Sequence, residues 1–439
     1  MMKSPMRILP ILCLLMATAL AQDLAPFLEP VSSHPGLAAS TAQLRVEEAR
    51  LANARDPITL SLSAGYSALD VNTEEFAWLP DELAELFMPP DSASQFSLDL
   101  TLRPVPLGDM ADFHEQAVLQ YALAELAWRE TLTTLQVSAV TAGYSLQLAE
   151  ESLEVARQGA ELAEQALQAT EIRFSNGAAT ESELRDARAG ALEAGGLVQS
   201  AAAGVELAGL ALANLVGLNR PPASEPLRLN LPQGEAASVQ RARLQAGLAL
   251  VGAANARRSV YPVVQAGYTR FLDDNNSLGV SIESRTLQPN LNYTWQSTAR
   301  AFPQNLIDGN FTIGVSASIS PAVGAALRAA TAQEEAAEHG LAAARNQAEV
   351  ERSLLMNDLS VAERELDLAD LLYRNALAVL DETTLREELG LAIPLETQAA
   401  ALAVMRAELE LQQARQAQLE AALQLHKFTA QPLTEVTPQ

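Results

Sequence analysis

The chain has 439 residues, of which 49% are hydrophobic and only 5% aromatic, and a net charge of −25. No basic stripe exists to neutralise phosphates, so nucleic-acid binding is excluded as a principal role. So few aromatics suit long Ala-rich helices better than one large globular core.

Residues 1–21 read as a secretory signal. Lys3 and Arg7 supply the positive end, Ile8 to Leu20 the apolar core, and Ala19-Leu20-Ala21 an Ala-x-Ala cleavage site. The only cysteine, Cys13, lies inside that core and is expected to leave with it, which removes disulfide and thiol chemistry from the mature chain. No later segment has eighteen uninterrupted apolar residues, so a membrane-spanning version of this chain is expected to cross with strands.

Residues 34–55 follow as an amphipathic helix ended before Pro57, and then the period changes. Ile58-Thr-Leu60-Ser-Leu62-Ser-Ala64-Gly-Tyr66-Ser-Ala68 alternates strictly between apolar and small or polar residues, as does Phe96-Ser-Leu98-Asp-Leu100-Thr-Leu102-Arg103. A soluble antiparallel sheet with one wet face would show this pattern. So would a membrane barrel, apolar toward lipid and polar toward its lumen, with Tyr66 and Trp78 near an interface. The second reading is preferred, because nothing else in the chain offers to cover the apolar faces.

From Asp109 to Leu218 the chain reads as helix, filled with Ala, Leu, Glu, Gln and Arg. One break interrupts it, Arg173-Phe-Ser-Asn-Gly177-Ala-Ala-Thr-Glu-Ser-Glu183. Gly177 is a helix stop, and Thr180 with Glu183 three residues on is a capping-box restart. The segment is therefore a helical hairpin whose outgoing arm is near 100 Å long at about 1.5 Å per residue, long enough for a coiled-coil projection or the wall of a tube.

A Pro-rich linker over 221–232 precedes a second round of the same elements. A short helix covers 238–258. Strands follow at Val264-Gln-Ala266-Gly-Tyr268 and Phe311-Thr-Ile313-Gly-Val315-Ser-Ala317-Ser-Ile319. A very long helix runs from Pro321 to about Glu388, a break falls at Glu388 to Glu396, and a return helix spans about 397–427. Residues 429–439 read as a disordered tail. The offset between matching residues is 202 from Gly65 to Gly267, 215 from Phe96 to Phe311 and 213 from Gly177 to Gly390. The chain is thus an internal duplication, 22–232 and 233–428, with an insertion in the second strand loop. The insertion holds Leu278-Gly-Val280-Ser-Ile282 and Leu291-Asn-Tyr293-Thr-Trp295, readable as an extra hairpin or as strands lengthened beyond the bilayer.

The last helix carries two interleaved rows at 3-4 spacing. One is Leu402, Met405, Leu409, Gln412, Gln416, Leu419 and Leu423; the other is Ala400, Ala403, Ala407, Glu410, Ala414, Ala417 and Ala421. Two adjacent seams let a helix pack on two neighbours, which closes helices into a cylinder. The four histidines, His34, His114, His339 and His426, show no metal-ligand spacing, and no Ser/His/Asp elbow, phosphate loop or dinucleotide fingerprint is present. No enzyme activity, metal or cofactor is expected.

The signal, the duplicated helix–strand–strand–long hairpin, the Gly-Tyr strand motif, the Pro106-Leu-Gly108 junction and the Phe174-Ser-Asn-Gly177-Ala-Ala-Thr-Glu-Ser-Glu183 tip together resemble the TolC family of outer-membrane efflux proteins. The resemblance covers nearly the whole mature chain. It implies an α+β membrane protein, a homotrimer in which four strands per chain close a twelve-stranded β-barrel continuous with a periplasmic α-helical barrel. It implies an exit duct for efflux or type I secretion, seated in outer-membrane lipid and docked to a periplasmic adaptor and an inner-membrane pump. Gln22, where lipid-anchored members carry cysteine, implies an unlipidated start. On the same resemblance, acidic residues just past the tip glycines would ring the periplasmic entrance: Glu183, Asp186 and Glu396, with Ala399 at the counterpart of Asp186. Ordinary helix capping fits these carboxylates equally well. Gly177, Ala178, Thr180, Gly390, Leu391 and Pro394 form the tips expected to meet the adaptor. The competing reading is a coiled-coil protein that tethers the envelope and conducts nothing.

Overall fold

The computed structural model describes residues 28–56, 58–68, 92–102, 108–217, 231–273, 275–297, 308–317 and 321–434. The signal expected at 1–21, Trp78, Pro104 to Pro106 and most of the 221–232 linker lie outside them.

A 3-10 helix at Glu29–Ser33 leads into α1 (Pro35–Arg55), β1 (Ile58–Ala68) and β2 (Ser92–Leu102). The first helical hairpin is α2 (Asp109–Ser175) and α3 (Glu181–Val216). The second half gives α4 (Ala237–Ser259), β3 (Val263–Phe271), β4 (Asn276–Glu283), β5 (Pro289–Gln296), β6 (Gly309–Ser316), α5 (Pro321–Glu388) and α6 (Pro394–Thr429). The helix–strand–strand–hairpin order is therefore present twice, with β4 and β5 added to the second round.

The strand count departs from expectation. Where four strands per chain were expected, the described residues place six in one antiparallel sheet of order β1-β2-β5-β4-β3-β6. The insertion is not an extension of existing strands. Gln95 to Thr101 of β2 pair with Gln296 to Asn290 of β5, and Gln265 to Phe271 of β3 pair with Glu283 to Ser277 of β4. The added hairpin thus stands between β2 and β3 at the same height as both, and a twelve-stranded total no longer follows from three copies.

Two compact units draw on both halves of the sequence. One comprises residues 1–44, 124–241 and 343–439; the other comprises 45–123 and 242–342 and holds the whole sheet. In the first, Leu28 at the N-cap of the 3-10 helix and Val31 within it, Val137, Val140 and Leu146 of α2, Leu212 and Val216 of α3 and Leu423 of α6 form one core cluster. Trp128 donates its indole N–H to Thr41 Oγ1 at 3.0 Å, fastening α1 to α2. α6 runs antiparallel to α2: Gln416 donates to Ser145 Oγ at 3.1 Å, and Leu402 lies over Gly159. The tail, expected to be disordered from 429 on, is ordered to Thr434. The fully buried amide of Gln136 holds it, accepting from Leu433 N–H and donating to Thr434 Oγ1, both at 2.8 Å. A buried amide left unpaired would cost about 1–3 kcal/mol, which favours the docked tail.

The seams of α6 are partly as read. Leu402 and Leu423 of the first row are buried, and the residues between them are half-buried. In the second row Ala400 and Ala407 are buried but Ala403 and Glu410 are exposed; the buried line is Ala400, Val404, Ala407 and Leu411. Among the described residues one helix, α3, is long and apolar enough to cross a membrane, and 6% of its most apolar stretch is buried. The sequence reading passed over it because its apolarity is diluted by Gly and small polar residues. Leu192, Leu207 and Leu210 stand exposed on it.

Candidate functional site

The sheet has two chemically distinct faces, and each is continuous across all six strands. One row of cross-strand partners reads Leu60, Leu100, Leu291, Val280, Tyr268 and Phe311. The rows beside it add Ile58, Leu102, Ile282, Ala266 and Ile313 on one side and Leu62, Leu98, Tyr293 and Leu278 on the other. Period-two alternation then puts the intervening residues on the opposite face. There the rows read Thr59, Thr101, Asn290, Ser281, Gly267, Thr312 and Ser61, Asp99, Asn292, Gly279, Thr269, Asn310.

The apolar face is bare. Leu62 is 66% exposed and Ile313 66%, although both sit mid-strand. At about 25 cal/mol per Å² of apolar surface, so wide a face is not left to water by a stable protein. The polar face instead satisfies itself sideways: Asn290 donates to Thr101 Oγ1 at 3.0 Å, Asn292 donates to Asp99, and the Ser63 and Ser97 hydroxyls meet. Polar residues of the apolar face, Ser94, Asn276 and Arg270, lie toward the end away from the helices, as do Tyr66, Tyr293 and Trp295. Polar and aromatic residues at a strand end suit a membrane–water boundary.

The other end of the sheet is where α1, α2, α4 and α5 lead into or out of the strands, and an ion-pair cluster marks it. Gly108 has φ +58°, and a Cβ there would stand 1.8 Å from the Arg285 carbonyl oxygen. Asp109 N–H donates to that same carbonyl at 3.3 Å. The Asp109 carboxylate lies 3.7 Å from both Arg258 and Arg285, and Arg258 also pairs with Asp112. Arg285 belongs to the β4–β5 turn and donates to Ser259 O at 3.1 Å. Asp109 and Asp112 occupy the first turn of α2, where the helix dipole favours carboxylates. Sequence reasoning found Gly108 as a junction but missed the arginines, since their partners lie more than a hundred residues away in the chain. The only available signal was the pair of first-turn aspartates.

The two hairpin tips share one backbone design. Gly177 and Gly390 have φ +72° and +71°. Gly177 N–H reaches Phe174 O at 2.9 Å and Ala178 N–H reaches Arg173 O at 2.7 Å; Gly390 N–H reaches Glu387 O at 2.9 Å and Leu391 N–H reaches Arg386 O at 2.7 Å. These are matching Schellman closures, which need the left-handed residue that glycine supplies. The restarts differ. Thr180 forms a full capping box with Glu183, whereas Ile393 caps with no side-chain bond and Pro394 starts the second return helix.

Glu183, Asp186 and Glu396 are all exposed, as are Gly177, Ala178, Thr180, Gly390, Leu391 and Pro394. Each tip is built within its own hairpin. The Glu183 carboxylate accepts from Thr180 N–H at 2.5 Å and from Thr180 Oγ1 at 2.9 Å. Those two bonds, backbone first, hold its pKa below the ordinary glutamate value, with a smaller pull from Arg173. Arg173 itself donates to Ala178 O, and Arg185 to Glu181 O. Arg188 pairs with Glu171 at 3.2 Å across the two arms. Among the described residues no group of His, Cys, Asp and Glu is arranged to hold a metal ion.

Three comparisons bear on these features. Residues 31–218 match the family model described as outer membrane efflux protein. No curated protein matches the chain in sequence. Among solved structures, a membrane protein from Pseudomonas aeruginosa superposes with TM-score 0.65 at 17% identity, covering 95% of this chain and 91% of its own. The outer membrane protein VceC from Vibrio cholerae gives 0.63 at 19%, covering 93% and 97%. The Campylobacter jejuni CmeC outer membrane channel gives 0.65 at 13%, covering 95% and 87%. At such identities these neighbours show a shared fold. Residues 31–218 thus resemble the outer membrane efflux protein family, and the chain shares the fold of these outer-membrane neighbours over nearly its whole length.

Proposed function

We propose that the protein is the outer-membrane exit duct of an export system, a homotrimer whose sheets form a barrel in the membrane and whose helices form the periplasmic conduit. The observation that carries this reading is the sheet's two continuous faces, bare and apolar on one side, polar and internally hydrogen-bonded on the other. A bilayer and an aqueous lumen are the two solvents that such faces require. Open apolar lines on the helices support self-association: Val350, Leu354, Val361, Leu368, Leu372 and Val379 recur along α5 at heptad-like spacing and remain exposed.

In this reading the tips receive a periplasmic adaptor, which connects to an inner-membrane pump. Exposed Ile172 and Phe174 at one tip, and Leu389, Leu391 and Ile393 at the other, give each an apolar surface beside its glycine. Glu183, Asp186 and Glu396 ring the entrance. The test is reconstitution of the purified protein in planar bilayers. Discrete conductance steps are expected from a trimer. A trimer that inserts without conducting would replace the duct with the tether.

A further inference from the structure

We propose that the inserted hairpin β4–β5 is part of the membrane wall, so that each chain contributes six strands and three copies close a barrel of eighteen. The inference rests on the duct reading and goes beyond it, because the family resemblance implies twelve. Four independent features of the fold lead to it. The hairpin pairs with β2 and β3 along their length, rather than projecting past their ends. Its outward residues, Leu278, Val280, Ile282, Leu291 and Tyr293, continue the apolar rows without a gap, while Ser281, Asn290 and Asn292 continue the polar ones. A hairpin standing in water above the bilayer would have no use for that apolar face. Its turn reaches the helix end of the sheet, where Arg285 meets Gly108 and Asp109, so the hairpin crosses the same height as its neighbours. Finally, among the described residues the two edges of the sheet are open and matched. β1 and β6 run in opposite directions, and both carry the same alternation, Ile58-Leu60-Leu62 against Phe311-Ile313-Val315. An unpaired edge inside a membrane leaves its backbone groups unsatisfied, so β1 of one copy must join β6 of the next.

Barrel diameter grows roughly linearly with strand number, so eighteen strands give a lumen about 1.5-fold wider than twelve, in the range of porins with open aqueous channels. The wider wall suits bulky cargo, such as large amphiphiles or unfolded chains.

The experiment uses the full-length protein, which offers no native cysteine outside the expected signal. Val280→Cys and Leu291→Cys on the outward face, and Ser281→Cys and Asn292→Cys on the lumen face, are treated in liposomes with a charged, membrane-impermeant maleimide. Val280→Cys and Leu291→Cys are expected to react at least tenfold more slowly than the lumen pair. Equal labelling would place the hairpin outside the bilayer and overturn the inference, leaving the duct reading intact. Neutral polymers of graded size, applied to single channels, supply the second readout. The wild type is expected to admit polymers of larger radius than a variant lacking residues 273–297, which joins β3 to β6 and restores a four-stranded topology. Equal cut-offs would overturn the inference. Native mass spectrometry must give three chains, and any other number refutes the total of eighteen. Absence of any conductance would instead defeat the duct itself.

Discussion

Glycines with the same dihedral do different jobs here, and substitution should separate them. Gly108, Gly177 and Gly390 all have positive φ, so a Cβ costs about 1–2 kcal/mol at each. At the tips nothing lies within 4 Å of that Cβ, whereas at Gly108 it would drive into the Arg285 carbonyl. Gly108→Ala should therefore lower the thermal midpoint of the assembled protein well beyond Gly177→Ala or Gly390→Ala, as circular dichroism in detergent would show. A bulky residue at either tip should leave assembly unchanged and abolish export in cells, the result expected of a docking surface. Glu183 offers a test by pH. Its folded pKa is lowered, so the stabilisation from its capping box is present above the ordinary glutamate range and is lost as pH falls through the folded value. Exchange protection over residues 176–186, corrected for intrinsic rate, should drop through that window, and Glu183→Gln should flatten the drop. Gly177 and the Thr180–Glu183 box were legible in sequence because both are local. The Arg285 contact was not, since nothing near Gly108 announces a partner from a distant turn.

The elements were readable to different depths for the same reason. Helix ends are set by residues beside them, and α5 begins at Pro321 and ends at Glu388 as the pattern indicates. Alternation likewise marked every strand, including both strands of the insertion. What alternation cannot carry is which strand pairs with which, and so the sheet order emerged only in three dimensions. The faces give a directional prediction. Leu100→Arg or Val280→Arg, in the central apolar row, should each cost roughly 2–4 kcal/mol at mid-bilayer. Thr101→Arg or Ser281→Arg, one residue along and on the polar face, should be tolerated. Urea titration of the folded barrel in lipid vesicles measures both. Equal losses on the two faces would sink the assignment of lipid and lumen sides. The second α6 seam shows the limit of pattern alone: Ala403 and Glu410 fit the spacing but face out, because Val404 and Leu411 offer more apolar area to the same groove.

At the scale of the whole molecule, the helix–strand–strand–hairpin order recurs, and the departures from exact repetition are informative. The tips close with the same hydrogen bonds, yet the first restarts on a capping box and the second on Pro394. The acidic residues are unequal too: Glu183 is committed to Thr180, Asp186 has Ala399 as its counterpart, and Glu396 sits in the first turn of α6. In a trimer each would approach two copies of itself. Like charges there attract cations and resist closure, more so at low salt. Because Glu183 already spends its charge on the cap, Asp186 and Glu396 should dominate the entrance. Single-channel recordings with divalent ions added from the periplasmic side test this order. Asp186→Asn combined with Glu396→Gln should reduce cation selectivity and relieve divalent block. Glu183→Gln alone should do so weakly, because glutamine keeps the N-cap contact while removing a charge that faces Thr180. If the triple variant conducts with unaltered selectivity and block, the carboxylates are solvated cap residues, and the constriction must be sought along the conduit rather than at its tips.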